Sequence, residues 1–344
     1  MKKKLVIVGG GFAGALIAKK LETKFNVILI DTKDYFEFTP GILRTLVQPS
    51  HIKKIQVLHS HYLKYAKTIK GCVTKIDKKY VYCDNKKISF NYLVIASGSS
   101  YNRIIKEPNS LAINRAKVLK EKYMDIIKAK KIVIVGGGIV AVELAGEVTT
   151  FFDDKEITII ELTDRLMFRM PLKVSQYAEN FLKKRNVRII FNEKVTSSGR
   201  NYVKTNKGKE LKYSLLFNCT GIKPNSNFMK PFFKNKIDEI GFIKINNHLQ
   251  LEDYNNIFVA GDVASVKEEK LAQNAQIHAR LIAENIINLE NNRPLKEYEP
   301  KQRLMVISLG KYDGIIVYKN TVLRGIIPGL LKSFIEWMEM LKYK

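Results

Sequence analysis

Cysteine is scarce in this sequence and tryptophan nearly absent, three residues and one among 344. Cys72, Cys83 and Cys219 form no C-x-x-C or C-x-x-x-x-C pair. An odd, sparse set of thiols argues against a disulfide framework and points to a reducing compartment, with a Cys72–Cys83 bridge between neighbouring strands the one pairing left open. The five histidines have no metal-ligand spacing with those cysteines, so no metal site is expected. Uninterrupted apolar runs of about 18 residues, the length a membrane-crossing helix needs, are missing as well. Acid is short too: 33 Asp and Glu face 59 Lys and Arg, a net charge of +26. The lysines are scattered, with short clusters at Lys2–Lys4 and Lys183–Arg185. Such a surface is either lysine-rich solvated exterior or attracted to anionic lipid, an acidic protein or nucleic acid. Nucleic acid ranks last, because no nucleic-acid-binding module is recognisable.

What is present is a glycine loop built twice. Residues 4–18 read KLVIVGGGFAGALIA and residues 131–148 read KIVIVGGGIVAVELAGEV. In each, a continuously apolar run reads as a buried parallel strand, and an Ala-rich amphipathic stretch after the glycines reads as a helix. The first cluster is G-x-G-x-x-G at Gly9, Gly11 and Gly14; the second is G-x-G-x-x-A at Gly136, Gly138 and Ala141. Such a loop turns tightly, lets the backbone approach a pyrophosphate, and aims the free N–H groups of a helix start at the anion. One loop alone is a weak signal. The confirming feature is an acid ending the next strand, about 20 residues on, where it holds a ribose hydroxyl pair. NVILID ends in Asp31 and EITIIE in Glu161. Two dinucleotide sites in an α/β chain are therefore expected. The start, MKKKLVIVGGGFAGALIA, imitates a secretory signal, but cleavage after Ala13–Ala15 would destroy the first loop, so it reads as mature sequence.

Further motifs follow in order: VIASGS, NCTGIKPN and FVAGDVA. As a set, these motifs resemble flavoprotein pyridine-nucleotide oxidoreductases with two dinucleotide-binding domains, across essentially the whole chain. Within that superfamily the chain is most similar to type II NADH:quinone oxidoreductases and to ferroptosis-suppressor (apoptosis-inducing-factor-like) quinone reductases. AQNAQIHARLIAENI, ISLGKYDGI and an amphipathic tail carry this closer likeness. The resemblance implies two Rossmann-like domains: a discontinuous FAD domain, 1–108 and 226–299, with an NAD(P)H domain, 109–225, inserted. A C-terminal segment, 300–344, ends in an amphipathic helix.

The resemblance assigns FAD to the first loop. Gly261 and Asp262 return to it as a ribityl-chain contact, and Thr39 and Pro40 lie beside the flavin ring. Val73 and Gly98 join the cofactor-binding set, with Gly221 in the second unit. The second loop receives the nicotinamide nucleotide. There Glu161 favours NADH over NADPH by repelling a phosphate, while Arg165 keeps NADPH open. Glu143 is implied to position the nicotinamide. With no cysteine in residues 35–60, disulfide-reductase chemistry is not expected.

A quinone acceptor is implied by Ala272, Gln273 and Ala275, although the final Gln of the related signature is Ile277 here. Gln273 is expected to bond a quinone carbonyl and His278 to supply a proton. In the tail, Leu330, Leu331, Phe334, Ile335, Met338 and Leu341 share one side. Lys332, Glu336, Glu339 and Tyr343 lie opposite, with Trp337 near the margin. Such a helix seats in a membrane interface, closes a homodimer or packs on the core. The expectation is a cytoplasmic NADH:quinone oxidoreductase, peripheral on the inner face of the cell membrane. Its tail is expected to lie outside both nucleotide units. The alternatives are a soluble NADH-dependent ferredoxin or rubredoxin reductase, and an NADH-responsive redox sensor.

Overall fold

A computed structural model describes residues 2–100 and 112–343. The expected domain boundary between residues 108 and 109 lies outside the described residues.

Lys4–Val8 is the central strand of a five-stranded parallel sheet, flanked by Tyr92–Ile95 and Asn26–Asp31. Ile257–Val259 and Lys67–Lys70 form its edges. The central residues are buried on both sides, as their unbroken Val/Ile/Leu composition requires. The late strand Ile257–Val259 joins the sheet that begins at residue 4, which makes the first nucleotide unit discontinuous in sequence.

The second unit repeats the plan. Lys131–Val135 lies between Glu156–Ile160 and Leu215–Asn218, and Arg188–Ile190 closes a four-stranded parallel sheet. Val73–Ile76, Tyr80–Cys83 and Lys86–Ser89 form a three-stranded antiparallel sheet. Two passages between the units run antiparallel, Ser99 pairing Pro224 and Ser100 pairing Lys223. Asn225 ties them further: its N–H donates to Gly98 O at 3.0 Å, and its carbonyl accepts from Ser97 Oγ at 2.7 Å.

The C-terminal segment contains more than a helix. Met305–Leu309, Asp313–Tyr318 and Thr321–Gly325 form an antiparallel sheet before the tail helix, Ile326–Leu341. This sheet is pressed against the helix of the second unit, where a Cβ on Gly146 would lie 2.8 Å from Gly310 N. Arg44, from the first unit, donates to Glu147 Oε1 at 2.8 Å and to Gly310 O at 3.1 Å, joining all three parts at one partly buried point.

Candidate functional site

The two glycine loops fold alike. Gly9 and Gly136 have φ of +102° and +96°, a region side chains avoid. Each also lies against backbone: a Cβ on Gly136 would sit 2.7 Å from Cys219 O, and one on Gly9 would collide with Ala96 O. By contrast, Gly11 and Gly138 face open space, with nothing within 4 Å of an added Cβ. That space lies at the starts of helices Phe12–Leu21 and Ile139–Phe151, whose first turns have no side-chain cap. Unshielded N–H groups above an open cradle suit a pyrophosphate. A Cβ on Gly14 would strike Gly9 O, whereas Ala141 at the equivalent place is accommodated and fully buried.

The acids stand where the spacing requires. Asp31 Oδ2 accepts the Gly10 N–H at 2.7 Å, and Glu161 Oε2 accepts the Gly137 N–H. Burial pushes the Asp31 carboxyl up, but the His59 imidazole and Lys33 reverse this and leave it below its ordinary value. Glu161 Oε1 accepts from both the amide and the hydroxyl of Thr163, each at 2.8 Å. Arg165 is turned away: it donates to Phe168 O at 2.7 Å, with its guanidinium over the Phe168 ring.

Asp262 and Gly261 meet the first unit from the other side. Asp262 Oδ2 accepts from Ser99 Oγ at 2.7 Å, beside the Gly98 turn. Gly261 packs on Ala275, the added-Cβ distance being 3.4 Å, and Ala13 of the first glycine helix is next nearest. Val73 follows the edge strand beside Asp31, whose carbonyl accepts the Gly71 N–H at 2.9 Å. Gly221 has φ of +114° and open space, in the turn after Leu215–Asn218. Thr39 and Pro40 start a short 3-10 turn, with Pro40 exposed.

The three residues read as catalytic stand apart. Gln273 is exposed at the start of helix Ala272–Glu290 and donates to Leu304 O at 3.1 Å. His278 is buried: its Nδ1 accepts the Gly261 N–H at 3.1 Å, and its Nε2 lies 3.0 Å from Glu268 Oε1. Tyr298 also donates to Glu268, at 2.5 Å. Burial raises the Glu268 carboxyl, but hydrogen bonds from His278 and Tyr298 hold it below its ordinary value. This arrangement fixes the backbone just before Asp262. Glu143, buried on the second glycine helix, accepts from Ser308 N at 2.9 Å and is paired with Lys332 of the tail helix.

That pairing corrects the reading of the tail as lying outside both nucleotide units. The helix lies polar side inward. Lys332 bonds Glu143 and Ser308, Glu336 lies 3.0 Å from His51 Nε2, and Glu339 accepts from buried Gln276 at 2.6 Å. Leu331 and Ile335 turn partly inward, and Tyr343 is buried rather than on a polar outer face. The outward side carries Ile326, Ile327, Leu330, Phe334, Trp337, Met338 and Leu341. Trp337 stands within this face, 55% exposed, with its ring near that of Phe334. Among the described residues no helix is long and apolar enough to cross a membrane.

The thiols offer no redox centre beside these loops. Burial pushes Cys219 up to about 12 and Cys83 up to about 11, so both stay protonated near neutral pH. Sequence reading missed Gln276, Glu268, His59, Ser99 and Ser308; each acquires its place through contacts made between elements.

A model of the family described as pyridine nucleotide-disulphide oxidoreductase matches residues 3–279. The chain belongs to that family. Apoptosis-inducing factor homolog B of Dictyostelium discoideum is 33% identical over 364 residues, covering 94% of this chain and 92% of the relative. Ferroptosis suppressor protein 1 of Homo sapiens is 32% identical over 335 residues, covering 90% and 87%. Among solved structures, the sulfide:quinone oxidoreductase of Aquifex aeolicus superposes with a TM-score of 0.82 at 20% identity, covering 99% of this chain and 91% of that one. NDH2 of Plasmodium falciparum in complex with NADH gives 0.81 at 17%, covering 100% and 99%. At those identities the family fold is what is shared.

Proposed function

We propose that this protein is an FAD-dependent NADH:quinone oxidoreductase seated on a membrane surface. The carrying observation is the pair of open glycine cradles, each with an acid bonded to its loop, the first joined by the turn bearing Asp262. Bound FAD would supply the chemistry that links a hydride donor to a two-electron acceptor. Gly9, Gly11, Gly14, Asp31, Gly98 and Asp262 would hold it, with Thr39, Pro40 and Val73 at its margins. The absence of side chains over Gly11 and the uncapped helix start fit its pyrophosphate.

Gly136, Gly138, Ala141, Glu161 and Gly221 would hold the nicotinamide nucleotide. Glu161 is already anchored by Gly137 and Thr163, so its charge is fixed where a ribose phosphate would sit. With Arg165 engaged at Phe168, that geometry favours NADH over NADPH. Glu143 would orient the nicotinamide while Lys332 balances its charge. Gln273 would stand at the acceptor side. His278 has its Nδ1 occupied as an acceptor, so its imidazole proton lies on Nε2 toward Glu268; its role is better supported as holding the Asp262 turn than as direct proton donor.

The apolar outer face of the tail helix supports the membrane assignment. A helix that turns its ionic residues inward and seven large apolar residues outward buries little of its apolar surface against its own core. An interface helix needs that orientation, and the net charge of +26 adds attraction to anionic lipid. Turnover tests the reading. Purified protein in anionic liposomes should oxidise NADH faster with a long-chain quinone than with ferredoxin or rubredoxin. Faster turnover with the iron–sulfur protein would replace quinone by a soluble acceptor.

A further inference from the structure

The end of the chain reaches the acid of the first nucleotide unit. Two residues beyond the tail helix, Tyr343 is 1% exposed. Its ring stacks on Phe36, centroids 4.0 Å apart and planes at 23°, and meets Tyr62 edge-on at 5.0 Å. The Tyr62 hydroxyl lies 2.6 Å from His59 Nδ1. His59 is 3% exposed, and its Nε2 has no hydrogen-bond partner. That atom is 3.6 Å from Asp31 Oδ2, beyond hydrogen-bonding range. It lies against the loop itself: a Cβ on Gly10 would be 2.6 Å from both His59 Nε2 and Asp31 Oδ2. On the neighbouring glycine helix, Lys19 Nζ donates to Lys342 O, fastening the same turn.

Burial pushes the Tyr62 phenol up, so it keeps its proton, and in the tautomer that leaves His59 Nδ1 bare the hydroxyl donates to it at 2.6 Å. In that tautomer the imidazole proton is on Nε2, 3.6 Å from Asp31 Oδ2, drawn by the carboxylate but too far for a direct hydrogen bond. A buried donor in that state costs stability unless a ligand supplies an acceptor. One hydroxyl group does so: it accepts from Nε2–H and donates to the carboxylate.

We propose that His59 binds a ribose hydroxyl of the flavin nucleotide's adenosine, and that Tyr343 is the positioning residue that holds His59 there through Tyr62. This rests on the reading that the first loop takes FAD. The chain's last turn is thereby coupled to cofactor retention, and by linkage FAD tightens that turn as much as the turn tightens FAD. The Tyr343 hydroxyl has no partner, so the ring alone does the holding.

The test follows FAD release from the full chain, by recovery of flavin fluorescence on dilution, for His59→Leu, Tyr343→Ala and Tyr343→Phe. His59→Leu and Tyr343→Ala should release FAD roughly tenfold faster, the size expected of one lost hydrogen bond to a ligand. Tyr343→Phe should match the wild type. Repeating the measurement with an FAD analogue lacking the adenosine 2′- and 3′-hydroxyls should abolish the effect of His59→Leu, which a merely structural role would not do. Hydrogen exchange on the wild type supplies a readout that needs no variant: adding FAD to apoprotein should slow exchange across residues 336–343. Unchanged release from folded His59→Leu and Tyr343→Ala proteins overturns the proposal, as does a His59→Leu effect undiminished with the analogue or an exchange rate indifferent to FAD. A wild type that binds no flavin would instead remove the FAD reading beneath it.

Discussion

The two glycine units share strand, loop, helix and acid, yet differ in what surrounds the acid. Asp31 lies under His59, with Tyr62, Phe36 and Tyr343 behind it. Glu161 is half-buried, and Leu162 and Phe168 beside it are largely exposed. The acid of the first site is packed about by three stretches of chain, while the acid of the second is open at its rim. That difference matches two kinds of ligand, a resident cofactor retained through many turnovers and a substrate that must enter and leave. The same local motif is thus fitted to retention or exchange by what is packed over it.

The comparison breaks most sharply at the open glycines. Gly11→Val places its branches in the first cradle and should give folded protein with almost no flavin. Gly138→Val should give yellow protein whose flavin NADH no longer reduces; absorbance spectra before and after anaerobic NADH check both. Flavin retained by folded Gly11→Val protein would reverse the two assignments. Next in size, Lys332→Met leaves the buried Glu143 carboxylate without its countercharge. Removing one partner of a buried ion pair costs about 3–5 kcal/mol, so a clear fall in melting temperature is expected, together with slower flavin reduction by NADH. Calorimetry and stopped-flow absorbance read these separately.

Smaller effects sharpen the picture. Trp337→Ser should weaken binding to anionic vesicles by about 1.5–3 kcal/mol, as one large apolar side chain is removed, and leave NADH-to-flavin reduction unchanged. Binding should also fall as salt screens the lysines. Glu161→Gln should narrow the ratio of NADH to NADPH efficiency by about tenfold. The smallest effect concerns pH. Glu268 is held below its ordinary value of 4.5, so its contribution to stability is present above that value and is lost as pH falls through the lower folded one. Glu268→Gln should flatten that acid limb in a melting-temperature profile.

Much of the fold was legible in residues 4–31 and 131–161, because a parallel strand, a phosphate loop and a ribose acid are all local in sequence. Asp262 was legible through its motif, though its Ser99 partner was not. The tail was legible only as amphipathic. Leu330, Phe334, Met338 and Leu341 share the apolar side as read, while Leu331 and Ile335 turn partly inward, and which side faces the protein depends on Glu143, His51 and Gln276, none of which adjoins it in the chain. His59 and Tyr62 carry no signal beyond an i, i+3 spacing. Their place beside Asp31 arises from chain crossings that no short window contains.

The most direct test of the two-site account is an anaerobic sequence on one sample. Holoprotein mixed with one equivalent of NADH should lose its oxidised-flavin absorbance completely, and long-chain quinone in liposomes should then restore it in a single turnover. Flavin that stays oxidised with NADH, or reduced flavin that quinone leaves untouched, would contradict the account.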